Sequence, residues 1–357
     1  MISGEYYITI YLFIVVLVTF IYAFRYRNQE FLGGMPLALF FMSVIMILFI
    51  GLRPLYWGFI DMMNYSRGYD ANWGLPFKYD WSSENFIFDN WFLFCSSMLL
   101  DKSFFFLSIA LIYFGGAAIA CKKLFDRHSF MAYLFFLGAF STFSYGTNGI
   151  KAGAAMSVFL MALAWWNNKK ISIFLLWLSL GLHHSMLMPI AAFILCYFVR
   201  KPKLYFWGWI FCLILSAAHF TSFMDIISDF IAGSDAKASS YLVTDVDWGG
   251  KTGFRFDFVL YSFMPILSGY YIIFKRKIVN TTYSFIWSLY CVINAFWLIC
   301  MYAQFTNRIA YLSWGLYPIV LCYPYLAIRF DKRQYKWLAN IALLHVGFTL
   351  FMNTIYY

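Results

Sequence analysis

The sequence predicts an all-α polytopic membrane protein, and three observations support that class. Of the 357 residues, 63% are hydrophobic and only 12% are charged. Apolar segments of about 17 to 22 residues recur along the whole chain, which is the length one helix needs to cross a hydrocarbon core. No shift in composition divides the chain. We therefore expect a single transmembrane domain over residues 1–357.

The apolar segments predict about 10 to 12 transmembrane helices. The first segment lacks a basic start and a small-residue cleavage site, so we expect a retained helix rather than a signal peptide. The segment 88–100 is short and is predicted to form an amphipathic helix on the outer surface. Membrane helices are expected near residues 6–24, 36–52, 103–121, 129–146, 152–167, 204–222, 256–274, 283–303, 309–328 and 337–355.

Residues 171–199 form an apolar run with an unusual centre. Basic residues flank both ends, which places both ends on the cytoplasmic side. A helix of this length spans about 44 Å, too long for one upright crossing of a core about 30 Å thick and too short for two. A Gly-x-His-His-Ser sequence at 181–185 interrupts the run. We therefore predict a broken, re-entrant-like helical hairpin with His183 near its apex.

The distribution of charge supports this topology. The six loops predicted to be cytoplasmic carry 17 of the 26 basic residues and three of the 16 acidic residues. This asymmetry follows the positive-inside rule for ten crossings and one hairpin, with both termini outside. The net charge of +10 is therefore interpreted as membrane anchoring and implies no nucleic-acid partner.

Two long outer-face loops are predicted at 53–87 and 223–255; the first is rich in Tyr, Trp, Asp and Asn, and the second is rich in Asp. Aromatic rings with carboxylates and amides nearby are typical of sugar binding. The alternative is an aromatic belt at the membrane interface, where Trp and Tyr are enriched in any case. For the run from Arg53 to Asp70, which includes Asp61 and Tyr65, the two interpretations stay open.

Four basic residues lie at outer helix ends: Arg53, Lys151, Arg255 and Arg308. Three of them begin helices, where the macrodipole favours anions rather than cations. Such cations are explained if they help the helix ends to bind an anionic ligand such as phosphate. Snorkelling, or pairing with a neighbouring carboxylate such as Asp257, is the alternative for each one.

His183 is a candidate for acid–base chemistry, because histidine can exchange protons near neutral pH and polar groups inside a membrane are often functional. Its structural alternative is a hydrogen bond to the backbone of the broken helix. The seven cysteines fall within apolar segments without metal-type spacing, so we expect free thiols rather than disulfides or ligands. No metal site and no cofactor are predicted.

Five motifs follow one another along the chain: Arg53 with Asp61 and Tyr65, Asn148-x-Ile150-Lys151-x-Gly153-x-Ala155, His183-x-Ser185 with Pro189, Gly253-Phe254-Arg255-x-Asp257-Phe258, and Asn307-Arg308-Ile309. Their order resembles the EpsG/Wzy group of polysaccharide polymerases, and the resemblance covers nearly the full chain. This sequence departs from the family pattern at Lys151-Ala152, where Arg-Gln is usual, and lysine lacks the bidentate fork of arginine.

The resemblance implies a GT-C-like glycosyltransferase. It would join undecaprenyl-diphosphate-linked oligosaccharide units, as donor and acceptor, on the outer face of the bacterial inner (cytoplasmic) membrane. The active site would face the periplasm or the cell exterior. His183, Asp61 or Asp257 would be the base, and the substrate-binding residues would be Arg53, Tyr65, Asn148, Lys151, Arg255, Asn307 and Arg308.

Two other functions fit the sequence less well. A membrane O-acyltransferase also has His and Asn at membrane depth, but it needs polar catalytic residues on the cytoplasmic side. A transporter of lipid-linked glycans would explain broken helices, but we find no similarity between the halves of the chain. The polymerase would work with membrane lipid and, by the resemblance, with a chain-length regulator and a flippase.

Overall fold

The computed structural model describes residues 2–28, 35–220, 253–304 and 306–356, and throughout these ranges its regular structure is helical. The predicted all-α class is confirmed. Most of the predicted outer loop 223–255 lies outside the described residues. The helices are α1 (Tyr7–Arg27), α2 (Pro36–Gly51), α3 (Ile60–Ala71), α4 (Phe86–Ser97), α5 (Lys102–Ala110), α6 (Gly116–Phe125), α7 (Ser129–Leu137), α8 (Thr142–Thr147), α9 (Ile150–Ala164), α10 (Lys169–Leu182), α11 (Leu187–Phe198), α12 (Pro202–Ala217), α13 (Phe256–Tyr270), α14 (Thr281–Ile299), α15 (Thr306–Trp314), α16 (Tyr317–Ala327) and α17 (Gln334–Phe351).

Six helical stretches in the described part of the chain are long and apolar enough to cross a membrane. Four more apolar helices are shorter, at 10–17 residues. The polytopic class is thereby confirmed, whereas the number of crossings, 10 to 12, stays a prediction. The six stretches are Gly4–Arg27, Lys102–Leu137, Phe256–Lys275, Thr281–Ile299, Thr306–Ala327 and Gln334–Tyr356.

The chain folds as two compact units, Met1–Leu187 with Tyr325–Tyr357 and Met188–Pro324. We call them unit 1 and unit 2. In unit 1, α9 packs against α6 and α10, and α1 packs along α17. In unit 2, α12 packs against α14, and α14 packs against α15.

The predicted helix 129–146 is wrong in one respect, because the structure divides it into α7 and α8. The break is stabilised by side chains that donate to the carbonyl groups at the end of α7. Such donors are needed because a carbonyl in apolar surroundings has no water to bond. The bonds run from His345 Nε2 to Phe135 O (2.9 Å), Thr142 Oγ1 to Phe136 O (2.6 Å), Tyr11 Oη to Leu137 O (2.6 Å) and Thr349 Oγ1 to Gly138 O (2.7 Å).

The core of unit 2 contains a buried polar network between its helices. Asn294 on α14 accepts a 2.8 Å hydrogen bond from Trp209 Nε1 and donates a 3.0 Å bond to Ser313. Nearby, Trp314 Nε1 donates to Ser262 at 2.8 Å. Because each indole N–H has an acceptor, these large rings are buried without a desolvated donor.

The predicted break in residues 171–199 is confirmed at His183. α10 ends at Leu182, and His183 is extended, with φ −154° and ψ 123°. A 3-10 turn, His184–Met186, leads into α11. Pro189 lies in the first turn of α11, where a proline removes no helical hydrogen bond. The boundary between the units falls at Leu187, so the re-entrant path of the two halves stays a prediction.

Substitution of Gly269 tests the packing of unit 2. A Cβ atom at Gly269 would overlap the indole of Trp287, which is fully buried. We expect Gly269→Ala to destabilise the protein by about 1–3 kcal/mol, because a packed indole cannot move aside freely. The measurement is the thermal unfolding midpoint in detergent. Gly208→Ala on α12 is the control, since nothing lies within 4 Å of its Cβ position. An unchanged midpoint for Gly269→Ala would contradict this packing.

Candidate functional site

Lys151 is fixed in place by the close approach of α8 and α9. Gly153 allows this approach, because a Cβ there would lie only 2.7 Å from the carbonyl oxygen of Tyr145. The turn between the two helices contains Asn148, whose backbone N–H donates to Ser144 O at 2.8 Å. Asn148 Oδ1 is buried and has no hydrogen-bond partner. The Asn-x-Ile-Lys-x-Gly motif therefore forms a tight helix–helix corner with Lys151 in the first turn of α9.

Lys151 forms an ion pair that the sequence analysis did not anticipate. Its Nζ lies 2.6 Å from Asp89 Oδ1, and the two side chains are 20% and 31% exposed. The ammonium lies 4.9 Å from the ring centroid of Phe88 and 6.0 Å from that of Tyr65. The predicted residues Lys151 and Tyr65 are thus brought together around Asp89 of α4.

The second carboxylate oxygen of Asp89 continues the network towards the helix break. Asp89 Oδ2 accepts from Ser83 Oγ at 2.6 Å and from Asn85 Nδ2 at 3.4 Å. Asn85 Oδ1 in turn accepts from the backbone N–H of His184 at 3.0 Å. We call Ser83, Asn85, Asp89 and Lys151 the Asp89 network. It connects the starts of α4 and α9 to the turn that follows α10.

Gly181 explains why the end of α10 lies against the start of α4. A Cβ atom at Gly181 would meet Phe86 Cζ and Ile87 Cδ1 at 2.6 Å. The glycine of the Gly-x-His-His-Ser motif therefore provides the space that α4 needs. This packing carries the histidine turn to the helix that holds Asp89.

The hydrogen bonding of His183 indicates its tautomer. Its Nδ1 accepts a 3.1 Å hydrogen bond from the backbone N–H of Ser185, in the manner of a helix N-cap. A neutral imidazole that accepts at Nδ1 carries its proton on Nε2. The ring is half-buried.

Arg53 is buried, with only 5% of its surface exposed. Its guanidinium donates to Ile50 O at 2.7 Å and to Thr147 O at 2.9 Å. These carbonyls belong to the C-terminal turns of α2 and α8, where the macrodipole favours a cation. Burial lowers the pKa of Arg53 to about 9, which leaves it charged at neutral pH. Arg53 therefore links the ends of α2 and α8 through its hydrogen bonds. Its predicted role in substrate binding stays a prediction.

Asp61 differs from Asp89 in its surroundings. It lies in the first turn of α3 and is half-buried. Within the part of the chain that the structure describes, nothing donates a hydrogen bond to its carboxylate.

In unit 2, Arg255 and Asp257 form a bidentate ion pair. Arg255 Nε donates to Asp257 Oδ1 at 3.0 Å, and one terminal nitrogen donates to Oδ2 at 2.6 Å. Both side chains are largely buried, and the guanidinium carbon lies 3.6 Å from the ring centroid of Phe258. Both oxygens of Asp257 are thus occupied, which leaves this carboxylate poorly placed to accept another proton.

Asn307 and Arg308 lie in the first turn of α15, also in unit 2. Asn307 is half-buried and Arg308 is exposed. The following Ile309 packs against Cys300 and Ala303. The backbone N–H of Arg255 bonds to Met301 Sδ at 3.2 Å. The predicted residues of unit 2 therefore adjoin one turn, residues 300–304.

The predicted site residues divide between the two units. Unit 1 contains His183, Asp61, Arg53, Tyr65, Asn148 and Lys151, and unit 2 contains Asp257, Arg255, Asn307 and Arg308. Sequence reasoning missed Asp89 and its partners. One signal was present, since Asp89 is the only charged residue within the apolar run 86–100, and a charge in such a run indicates a functional or paired residue.

The structure also describes the cysteines and the side chains of the types that bind metal ions. All seven cysteines are free thiols in the structure, and all but the half-buried Cys212 are buried. Among the described residues, no group of three His, Cys, Asp or Glu side chains could hold a metal ion.

Replacement of Arg53 tests its role in joining α2 and α8. Arg53→Met removes two donors and leaves two helix-end carbonyls unbonded, so we expect a loss of about 1–3 kcal/mol in the free energy of unfolding. Thermal unfolding in detergent measures this loss. The exposed Arg67 provides the control, because Arg67→Met is expected to change stability by less than about 0.5 kcal/mol. Equal midpoints for the two variants would refute the structural role.

Comparison with known proteins identifies the family. The sequence model described as "EpsG family" matches residues 36–357, which includes every predicted site residue. No curated protein and no solved structure matches the chain. The match covers most of the chain and agrees with the resemblance in the sequence motifs. This chain therefore belongs to the EpsG family and is a membrane protein similar to polysaccharide polymerases.

Proposed function

We propose that this protein is a membrane glycosyltransferase that polymerises undecaprenyl-diphosphate-linked oligosaccharide repeat units. The observation that carries the proposal is the Asp89 network in a member of the EpsG family. It joins a cation, a carboxylate and a histidine turn through four segments of unit 1. A phosphate-bearing sugar donor requires these kinds of groups, because charge develops on the leaving diphosphate while a proton leaves the acceptor.

The cations would stabilise the leaving diphosphate. In the reaction, an acceptor hydroxyl attacks the anomeric carbon of the lipid-linked chain, and the bond from that carbon to the diphosphate breaks. The diphosphate departs with the lipid and carries the negative charge. Lys151 of unit 1 is the group proposed to meet it, since a preorganised cation lowers the energy of such a transition state. For unit 2, Arg255 and Arg308 are proposed separately as residues that bind anionic groups of the substrate.

The proton of the acceptor hydroxyl would go to Asp61. Its carboxylate has no donor among the described residues, whereas both oxygens of Asp257 are held by Arg255. His183 Nε2–H would donate to a sugar or phosphate oxygen, because its Nδ1 is engaged by Ser185. The charge asymmetry of the loops supports a site on the outer face of the bacterial inner membrane. A flippase and a chain-length regulator are the proposed partners.

Polymer length in cells tests the function. We expect deletion of the gene to leave only lipid that carries a single repeat unit, and complementation to restore the ladder on a gel. His183→Asn is expected to keep the cap on Ser185 but fail to restore the ladder, while His183→Gln restores part of it through a donor near Nε2. A normal ladder in the deletion strain would overturn the polymerase and favour acyl transfer or transport.

Removal of Arg308 tests the anion-binding role proposed for unit 2. Because its side chain is exposed at the start of α15, Arg308→Ala is expected to shorten the polymer with little change in protein level. The loss in kcat is expected to be about a hundredfold, as for other removed charge-stabilising groups. Arg329→Ala, an exposed arginine in a predicted cytoplasmic loop, is the control and should leave polymer length unchanged. Equal polymer length in both variants would remove Arg308 from the site.

A further inference from the structure

Asp89 has separate partners on its two carboxylate oxygens. Oδ1 receives Lys151 from α9, and Oδ2 receives Ser83 and Asn85 from the segment that precedes α4. The two oxygens of an ionised carboxylate offer four lone-pair positions, so each oxygen can accept hydrogen bonds from its own set of donors. Asp89 therefore links two parts of unit 1 that are 62 residues apart in sequence.

Lys151 depends on this carboxylate for its position. A cation in the first turn of α9 opposes the helix macrodipole, and Asp89 offsets that cost. A lysine ammonium has three N–H donors. One is directed to Asp89, and no other acceptor for it occurs in the described ranges. The rings of Phe88 and Tyr65 lie beside the ammonium, and its two other donors have no oxygen or nitrogen acceptor among the described residues. These two donors can therefore bind an anionic group at a half-buried position.

The helix that carries Asp89 is itself held in place. Asn90 is buried and donates to Asp80 O at 3.0 Å and Phe86 O at 2.8 Å. Trp91 Nε1 donates to Ser108 on α5 at 2.8 Å. Because Asn90 and Trp91, which follow Asp89 on α4, bond to other segments, the carboxylate has a fixed location around which Lys151 is oriented.

We propose that Asp89 is a positioning residue of the site. It orients the Lys151 ammonium so that the ammonium can bind a phosphate group of the lipid-linked substrate. Through Asn85 it also fixes the position of the His183–His184 turn relative to Lys151. This inference rests on the proposed function, since it names the residue that organises the site. Neither the family match nor the motif pattern assigns a role to Asp89.

Acetylation of lysines tests the ion pair without any assay of activity. Purified protein is treated briefly with acetic anhydride, and the modification of Lys151 and Lys102 is measured by mass spectrometry. Lys102 is the matched lysine, because it pairs with Asp70 at 2.7 Å in the same unit. We expect Asp89→Asn to increase acetylation of Lys151 severalfold and leave Lys102 unchanged, and Asp70→Asn to do the reverse. Unchanged Lys151 reactivity in Asp89→Asn would overturn the proposal.

Binding of inorganic pyrophosphate tests the anion-holding role. Pyrophosphate should protect Lys151 from acetylation in the wild type, and Asp89→Asn should raise the concentration needed for half protection by about tenfold. Asp89→Glu should recover part of the effect. Protection does not depend on the folded fraction, because unfolded protein contributes no saturable signal. Equal half-protection in wild type and Asp89→Asn would overturn the positioning role.

A double-mutant comparison separates positioning from general stability. Membranes that extend the single-unit lipid from the deletion strain give the inhibition constant of pyrophosphate. Asp89→Asn and Lys151→Met should each raise this constant about tenfold, and the double variant should raise it no further. Additive losses would show that Asp89 acts independently of Lys151. If wild-type membranes do not extend the lipid, the proposed function fails, while the protection experiment still decides the role of Asp89.

Discussion

The main constraint on this fold is that every carbonyl group released by a broken helix needs a donor. A break in apolar surroundings cannot rely on water, and an unbonded carbonyl there is costly. At the end of α7, four successive carbonyls receive side-chain donors from three different helices. The carbonyls that Arg53 bonds at the ends of α2 and α8 follow the same rule. Polar side chains that resemble catalytic residues in the sequence can therefore have a structural role, which is to donate hydrogen bonds to backbone carbonyl groups.

The same constraint builds the candidate site in unit 1. The break at His183 leaves the backbone N–H groups of His184 and Ser185 without helical partners, and they bond to Asn85 and to the His183 ring. The Asn85 amide then extends to Asp89, and Asp89 to Lys151. The hydrogen bonds that the backbone N–H groups of this turn need thus place a histidine, a carboxylate and an ammonium in one connected network.

Local sequence signals predicted only the local part of this architecture. The His183 break was predictable because glycine and adjacent polar residues interrupt an apolar run. The break after α7 was not, because its donors Tyr11 and His345 lie 126 and 210 residues from their acceptors. The pair of Arg255 with Asp257 was predicted as an alternative, since the two residues lie two positions apart in sequence. Asp89 and Lys151 meet only through tertiary packing, and no spacing rule predicts that contact.

The two helix-start ion pairs differ in what they leave available. Arg255 uses its fork on both oxygens of Asp257 and lies against Phe258, so a ligand that approaches it competes with a bidentate bond. Lys151 shares only one oxygen of Asp89, and the other oxygen is stabilised separately by Ser83 and Asn85. An anion can therefore join Lys151 without displacing its carboxylate. In the proposed site, the Lys151 ammonium would direct one of its three donors to Asp89 and the other two to a phosphate.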